Sequence, residues 1–178
     1  MVRLLSRGAL AVALVSAVAL PLLGQTTVPA HHPTQSKTPL APEISAPDLH
    51  GKPFRLSSLR GKKVVVLSFF ATWCPPCRME MPHLRKVSQQ YTGKPVQFLA
   101  VSIDDPGADV KGFAKQYGLT FPVLHDAKGA AAQAYKVNAI PTLFIIGKNG
   151  AIISRHEGFD PAMDRDLPKQ INAAIAAK

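Results

Sequence analysis

Both cysteines of the chain, Cys74 and Cys77, lie in the stretch FFATWCPPCRMEMP, with two prolines between them. Two thiols at this spacing can form and break a disulfide, which is the chemistry of a protein that exchanges electrons with a partner's disulfide. A structural bridge is disfavoured, because so short a loop constrains the unfolded chain little. Two sulfurs supply half of a four-ligand zinc site, although a Cu(I) site needs no more. We therefore interpret the pair as a redox-active dithiol, with Cu(I) binding as the alternative.

The residues around the pair predict a buried strand followed at once by a helix. The run KKVVVLSFF is β-branched and aromatic, which is typical of a strand covered on both faces. Residues 75–91 take a helical pattern, and prolines are acceptable in a first helical turn. Because the start of a helix favours negative charge, the junction predicts a thiolate at Cys74.

The residues next to the sulfurs refine this chemistry. Pro75 and Pro76 have no backbone N–H, so two donors that could stabilise the Cys74 thiolate are missing. A less stabilised thiolate makes a less oxidising couple, which predicts a reductant or mild exchanger. Trp73 offers a flat apolar surface beside the attacking sulfur. A peroxide-reacting cysteine is disfavoured, because residues 69–73 are mainly apolar.

Strand and helix patterns alternate along the rest of the chain. The predicted elements are a hairpin over 45–59, a strand over 96–103, a helix over 108–117, a strand over 121–124, a helix over 129–135, a hairpin over 142–155 and a closing helix over 161–177. Such an order indicates an α/β fold with a mixed central β-sheet flanked by helices.

The beginning of the chain has the layout of a secretory signal. Arg3 and Arg7 precede the apolar run 9–23, and the small-residue exit Val28-Pro29-Ala30 follows. A membrane-spanning helix needs about 20 apolar residues, so cleavage near Ala30 is favoured over a retained membrane anchor. We predict a signal or anchor at 1–30, a Pro-rich linker at 31–42 and one domain at 43–178.

The composition says little about partners. The net charge is +10, from 21 Lys and Arg against 11 Asp and Glu. A basic surface can favour acidic partners or an anionic membrane, but the bases form no dense run, so ordinary solubility is the preferred interpretation. No motif points to nucleic-acid binding.

Three segments together carry a resemblance to a known family: APDLHGKPFRLSSLRGK, KKVVVLSFFATWCPPCRMEMP and AIPTLFIIGKNG. They resemble the thioredoxin superfamily, and most closely its extracytoplasmic TlpA/ResA-like branch, which includes the CcmG-type cytochrome c biogenesis reductases. The resemblance implies a thioredoxin-like fold over 43–178, with an N-terminal hairpin and an insert near 104–126. It also implies that Cys74 is the nucleophile and Cys77 the resolving thiol.

The resemblance further implies a substrate surface around the sulfurs. The family's proline loop matches Ile140-Pro141-Thr142, so a cis peptide bond is expected before Pro141. The backbone of Ile140 would then offer strand-like hydrogen bonds to an incoming peptide. The predicted substrate contacts are Trp73, Pro75, Pro76, Ile140 and Pro141.

Glu80 is the predicted proton-transfer residue. It begins a helical row with Leu84, Val87 and Tyr91, which should place its carboxyl on the core side and raise its pKa. Cytosolic thioredoxins carry a buried aspartate where this chain has Ser68, and Glu80, three residues after Cys77, would take over proton exchange with that thiol. The alternative is a surface acid near Arg78 or Lys86.

The resulting prediction is an extracytoplasmic thiol–disulfide oxidoreductase that reduces protein disulfides and needs no cofactor and no metal. The resemblance implies substrates in cytochrome c maturation or copper-centre assembly, a membrane thiol relay as electron donor, and a possible membrane tether through the N-terminal segment. A Cu(I) metallochaperone and a disulfide oxidase or isomerase are the competing functions.

Overall fold

The computed structural model describes residues 39–177, so the predicted signal or anchor at 1–30 and most of the predicted linker lie outside the described residues. Within residues 39–177, no helix combines the length and the apolarity needed to cross a membrane. The strands are β1 (Ser45–Pro47), β2 (Pro53–Arg55), β3 (Val64–Phe70), β4 (Val96–Ser102), β5 (Val123–His125), β6 (Thr142–Ile146) and β7 (Ile152–Glu157). The helices are α1 (Pro75–Gln89), α2 (Val110–Gln116), α3 (Ala130–Ala134) and α4 (Met163–Ala176), with a 3-10 helix at Leu56–Leu59.

A five-stranded mixed sheet forms the centre, in the order β5-β4-β3-β6-β7. Strands β3, β4 and β5 run parallel, whereas β6 pairs antiparallel with β3 and β7 pairs antiparallel with β6. A small antiparallel hairpin, β1 with β2, forms a separate sheet, and the residues after β1 contact β5 through an Asp48–Leu124 bridge. The predicted fold class is confirmed, including the hairpin. The segment 104–126 supplies α2 and the whole of β5.

Strand β3 lies in the middle of the sheet, and all seven of its residues are buried. Successive side chains point to opposite faces of a strand, so β3 contributes to two cores. Val64, Val66 and Phe70 pack with apolar residues of α1, α2 and α4. Val65, Leu67 and Phe69 face the second core, which includes Leu56 and Tyr135.

The predicted element boundaries differ from the observed ones by a few residues. Helix α2 begins at Val110 rather than residue 108, because Asp109 caps it by accepting the Gly112 N–H at 2.7 Å. The closing helix begins at Met163 rather than residue 161. The short strand over 121–124 is β5, Val123–His125. None of these shifts moves the strand end that carries the cysteines.

Candidate redox site

Cys74 lies where β3 has ended and α1 begins. It is the N-cap residue of α1, with an extended backbone, and its sulfur accepts the Cys77 N–H at 3.3 Å. The two cysteines form a disulfide with a Cα–Cα distance of 5.3 Å. Cys74 is 2% exposed and Cys77 is fully buried. Of the two cysteines, only Cys74 keeps any exposure to solvent.

Pro75 and Pro76 occupy the first two helical positions. These are the positions at which an N–H would otherwise point towards the capping sulfur, and proline has none. The Cys77 N–H is therefore the first backbone donor of α1 available to Cys74. Because two donors are missing, a thiolate at Cys74 is less stabilised. The prediction of a reducing couple depends on this weaker stabilisation.

The loop before β6 faces the disulfide from the other side. The Ile140–Pro141 peptide bond is cis, as the sequence resemblance implied. The Ile140 carbonyl oxygen lies 3.8 Å from the Cys74 sulfur. Trp73, directly before Cys74, is 63% exposed. The structure thus brings Ile140 to Cys74 and leaves an exposed aromatic ring next to it in the chain, an arrangement suited to docking an extended peptide.

Glu80 is buried in the core beneath this surface. Its side chain is on the core-facing row of α1, 2% exposed, and its Oε2 accepts the Ser68 hydroxyl at 2.7 Å. Burial raises the pKa of Glu80 from 4.5 to about 7, against the opposing effect of the Ser68 hydrogen bond, which lowers it. The alternative of a surface acid is wrong. Its two proposed partners are engaged elsewhere: Arg78 donates to the Thr72 carbonyl and Lys86 pairs with Asp164.

A cavity of about 320 Å³ adjoins Glu80. Its walls come from α1, β6, β7, α4 and the segment after β7, and they include the polar side chains of His156, Asp160 and Asp166. The carboxyl of Glu80, buried in the core, therefore borders this cavity. The cavity was not predicted from the sequence.

Asp104 is a second buried acid, and sequence reasoning missed its contacts. It is 1% exposed, and both of its carboxylate oxygens accept the Thr72 N–H at 3.0 Å. It also accepts the hydroxyls of Thr72 at 2.7 Å and of Ser102 at 2.6 Å. Arg78 donates to the carbonyl of the same Thr72 at 2.8 Å. The backbone two residues before Cys74 is therefore held at both its N–H and its carbonyl.

Among residues 39–177, no group of three or more His, Cys, Asp or Glu side chains is arranged to hold a metal ion. His83 instead contacts Asp164 at 2.9 Å, and His125 contacts the Asp104 carbonyl oxygen at 2.9 Å.

A mixed sheet whose central strand leads into a Cys-x-x-Cys helix, opposite a cis-proline loop, defines a thioredoxin-fold domain with a dithiol–disulfide centre. A family model described as the AhpC/TSA family matches residues 39–155, and the chain belongs to this family.

Known relatives agree with this class. The thiol-disulfide oxidoreductase ResA of Geobacillus thermodenitrificans is 41% identical over 112 residues, which are 63% of this chain and 64% of that protein. The chain thus spans somewhat less than two thirds of that relative. A thiol:disulfide interchange protein of Chlorobium tepidum matches 79% of this chain and 99% of its own, with 28% identity and a TM-score of 0.71. A secreted Mycobacterium tuberculosis disulfide oxidoreductase, homologous to Escherichia coli DsbE, matches 73% and 95%, with 30% identity and a TM-score of 0.63. The predicted resemblance to ResA-like proteins is confirmed.

Proposed function

We propose that this protein is an extracytoplasmic thiol–disulfide oxidoreductase that reduces disulfides in other proteins. The observation that carries the proposal is the disulfide between Cys74 and the buried Cys77 at the start of α1, 3.8 Å from the Ile140 carbonyl. The names of the relatives, which are thiol-disulfide oxidoreductases and an interchange protein, support the reaction class.

The first step is attack by the Cys74 thiolate on one sulfur of the substrate's disulfide. A bond forms between Cys74 and that sulfur, the substrate's S–S bond breaks, and the second substrate sulfur leaves as a thiolate that takes a proton. The substrate chain lies along Ile140 and Pro141 and packs against Trp73, with Pro75 and Pro76 at the edge of the contact. The residual exposure of Cys74, beside the fully buried Cys77, supports its role as the nucleophile.

The second step is attack by Cys77 on the Cys74 sulfur. The mixed disulfide breaks, the first substrate sulfur leaves as a thiol, and the Cys74–Cys77 disulfide of the structure forms. Cys77 must lose its proton inside the core, where a free thiolate is costly. Glu80, one helical turn further on and with a pKa of about 7, is suited to accept that proton and to return it during reduction.

Each turnover leaves the pair oxidised, so the protein needs two electrons and two protons from a donor. Outside the cytosol the donor would be a membrane thiol relay, and the substrates would be cysteine pairs of apocytochrome c or of copper-centre assembly proteins. The sequence resemblance supports these partners, and the missing donors at Pro75 and Pro76 support the reducing direction. Export is supported by the signal-like residues 1–30 and by the secreted relative. The same N-terminal segment, if retained, would tether the domain to the membrane.

A trapping experiment tests the proposal. Cys77→Ser leaves the nucleophile but removes the group that releases the substrate, so we expect mixed disulfides with partner proteins that disappear on addition of reductant. The matched control is Cys74→Ser, which should trap few partners because the remaining thiol is fully buried. Equal trapping by both variants would overturn the role assignment. A redox potential of about −270 mV is expected for a reductant, whereas one of about −120 mV would indicate an oxidase.

A further inference from the structure

The edge of the sheet opposite the redox site carries a cluster of lysines, here called the basic edge: Lys62, Lys63, Lys94 and Lys148. Lys62 and Lys63 directly precede β3, Lys94 lies just before β4, and Lys148 lies in the β6–β7 turn. These strands are neighbours in the sheet, so their ends at this edge lie side by side. Two backbone bonds join the pieces: Gly61 N–H to the Lys148 carbonyl at 2.7 Å and Val64 N–H to the Pro95 carbonyl at 2.9 Å.

No acid neutralises these lysines within residues 39–177, since none of the four takes part in a salt bridge there. Lys94 lies over the Tyr91 ring, and the amines of Lys63 and Lys148 donate to the Gln97 side chain and the Ile175 carbonyl. Each contact leaves a full positive charge. The basic edge is therefore a concentrated cationic surface, although the sequence shows no long run of bases.

Five of the eleven acids lie at the other end of the sheet, where β4, β5 and β7 finish: Asp104, Asp105, Asp126, Glu157 and Asp160. Asp104 is buried and Glu157 pairs with Arg155, so the exposed acidic charge of this end is smaller than the count suggests. A strand as long as β3 separates the two ends by roughly 20 Å, which is more than the Debye length of about 8 Å at physiological ionic strength. A charged surface approaching one end is thus screened from the other. The domain has an acid-bearing redox end and a basic end.

Residues 39–41 pair with the domain at the basic edge. Leu40 forms an antiparallel bridge with Ala151, the Ala41 N–H donates to the Gly150 carbonyl at 2.9 Å, and the Ile152 N–H donates to the Pro39 carbonyl at 3.0 Å. These partners belong to the same β6–β7 connection that carries Lys148. Pro39, the first residue that the structure describes, therefore lies on the side of the domain where the lysines lie.

We propose that the basic edge docks on a membrane surface of anionic phospholipids, with the redox end pointing away from the bilayer. The four lysines have no acidic partner within residues 39–177, and phosphate headgroups would supply one. Lysines close to a membrane are attracted to such anionic surfaces. Docking in this orientation leaves Trp73 and the Cys74–Cys77 pair open to soluble partners. This orientation of the domain does not depend on the direction of its redox reaction.

Vesicle binding by the full chain tests this proposal. Vesicles of phosphatidylcholine with and without phosphatidylglycerol are compared, so that binding through the apolar N-terminal run, common to both, is separated from the anionic preference. Each lysine near the surface contributes about a fivefold increase in binding, so Lys62→Gln, Lys63→Gln and Lys94→Gln together should reduce the preference roughly 100-fold.

The matched control neutralises three exposed lysines elsewhere, Lys111, Lys128 and Lys136, and should leave most of the preference intact. An equal loss in both triple variants would show a net-charge effect and overturn the localised site, as would the absence of any anionic preference in the parent. Unchanged thermal unfolding of each variant confirms that its fold is intact.

The sole tryptophan reports the orientation, because Trp73 lies at the redox end. Brominated lipids quench tryptophan only at close approach, so vesicle-bound protein should keep its Trp73 fluorescence. Strong quenching would place the redox end on the membrane and overturn the proposed orientation.

Discussion

The buried carboxyl of Glu80 should make the stability of the oxidised domain fall as the pH rises. In the folded protein its pKa is about 7, whereas an ordinary glutamate has 4.5. Between these two values the folded state holds a proton that the unfolded state has released, so the free energy of unfolding decreases with increasing pH. The stabilising effect of the neutral carboxyl is complete below about pH 4.5 and is lost as the pH passes through about 7.

The magnitude follows from the pKa difference. One pKa unit corresponds to about 1.4 kcal/mol, so the raised pKa costs the ionised folded state about 3 kcal/mol. Glu80→Gln removes the titration but keeps a side chain of similar shape. Its free energy of unfolding, taken relative to the parent, should therefore rise by about 3 kcal/mol between about pH 4 and about pH 8. Carboxyls with lowered pKa values, such as Asp164, act in both proteins and cancel in this difference.

The assay is denaturant unfolding of both oxidised proteins across this pH range. Ser68→Ala sharpens it, because the Ser68 hydroxyl stabilises the charged carboxylate, and its removal should move the transition to higher pH. Ser88→Ala is the matched control, since that hydroxyl donates to the Arg85 carbonyl on the same helix. A difference between parent and Glu80→Gln that stays constant with pH would refute the raised pKa, and with it the proton-transfer role.

Two further predictions concern the surroundings of Cys74. Asp104→Ala leaves buried donors without an acceptor and should lower the free energy of unfolding by about 3 kcal/mol. Its control is Asp105→Ala, at an exposed neighbouring residue, which should change the free energy of unfolding by less than about 0.5 kcal/mol. Similar losses in the two variants would contradict the contacts assigned to Asp104. Pro76→Ala restores a backbone N–H near the Cys74 sulfur, so the pKa of the Cys74 thiol should fall. The redox potential, measured by glutathione titration, should then become more positive by about 30 mV. An unchanged potential would show that the missing N–H of Pro76 does not contribute to the reducing character of the pair.

The sequence predicted those elements whose pattern is local. The run before the cysteines is apolar without interruption, and β3 is buried along its whole length. The burial of Glu80 was also predictable, because Leu84 and Val87 follow it at helical spacing and all three are buried. The approach of Ile140 to Cys74 was different: 66 residues separate them, and only the family resemblance indicated it.

The contacts of Asp104 could not be predicted, because they depend on a register between two strands. Phe70 pairs with Ser102 in the parallel β3–β4 ladder, and this pairing brings the residues after both strands together. A shift of one residue would turn the side chains to the opposite face. A partial signal was present in the sequence, because Asp104 follows the buried strand β4. If β4 is parallel to β3 and next to it, Asp104 must lie at the same end of the sheet as the cysteines. Since Asp104 holds the N–H of Thr72, the position of the loop before Cys74 is determined by β4 as well as by its own strand and helix.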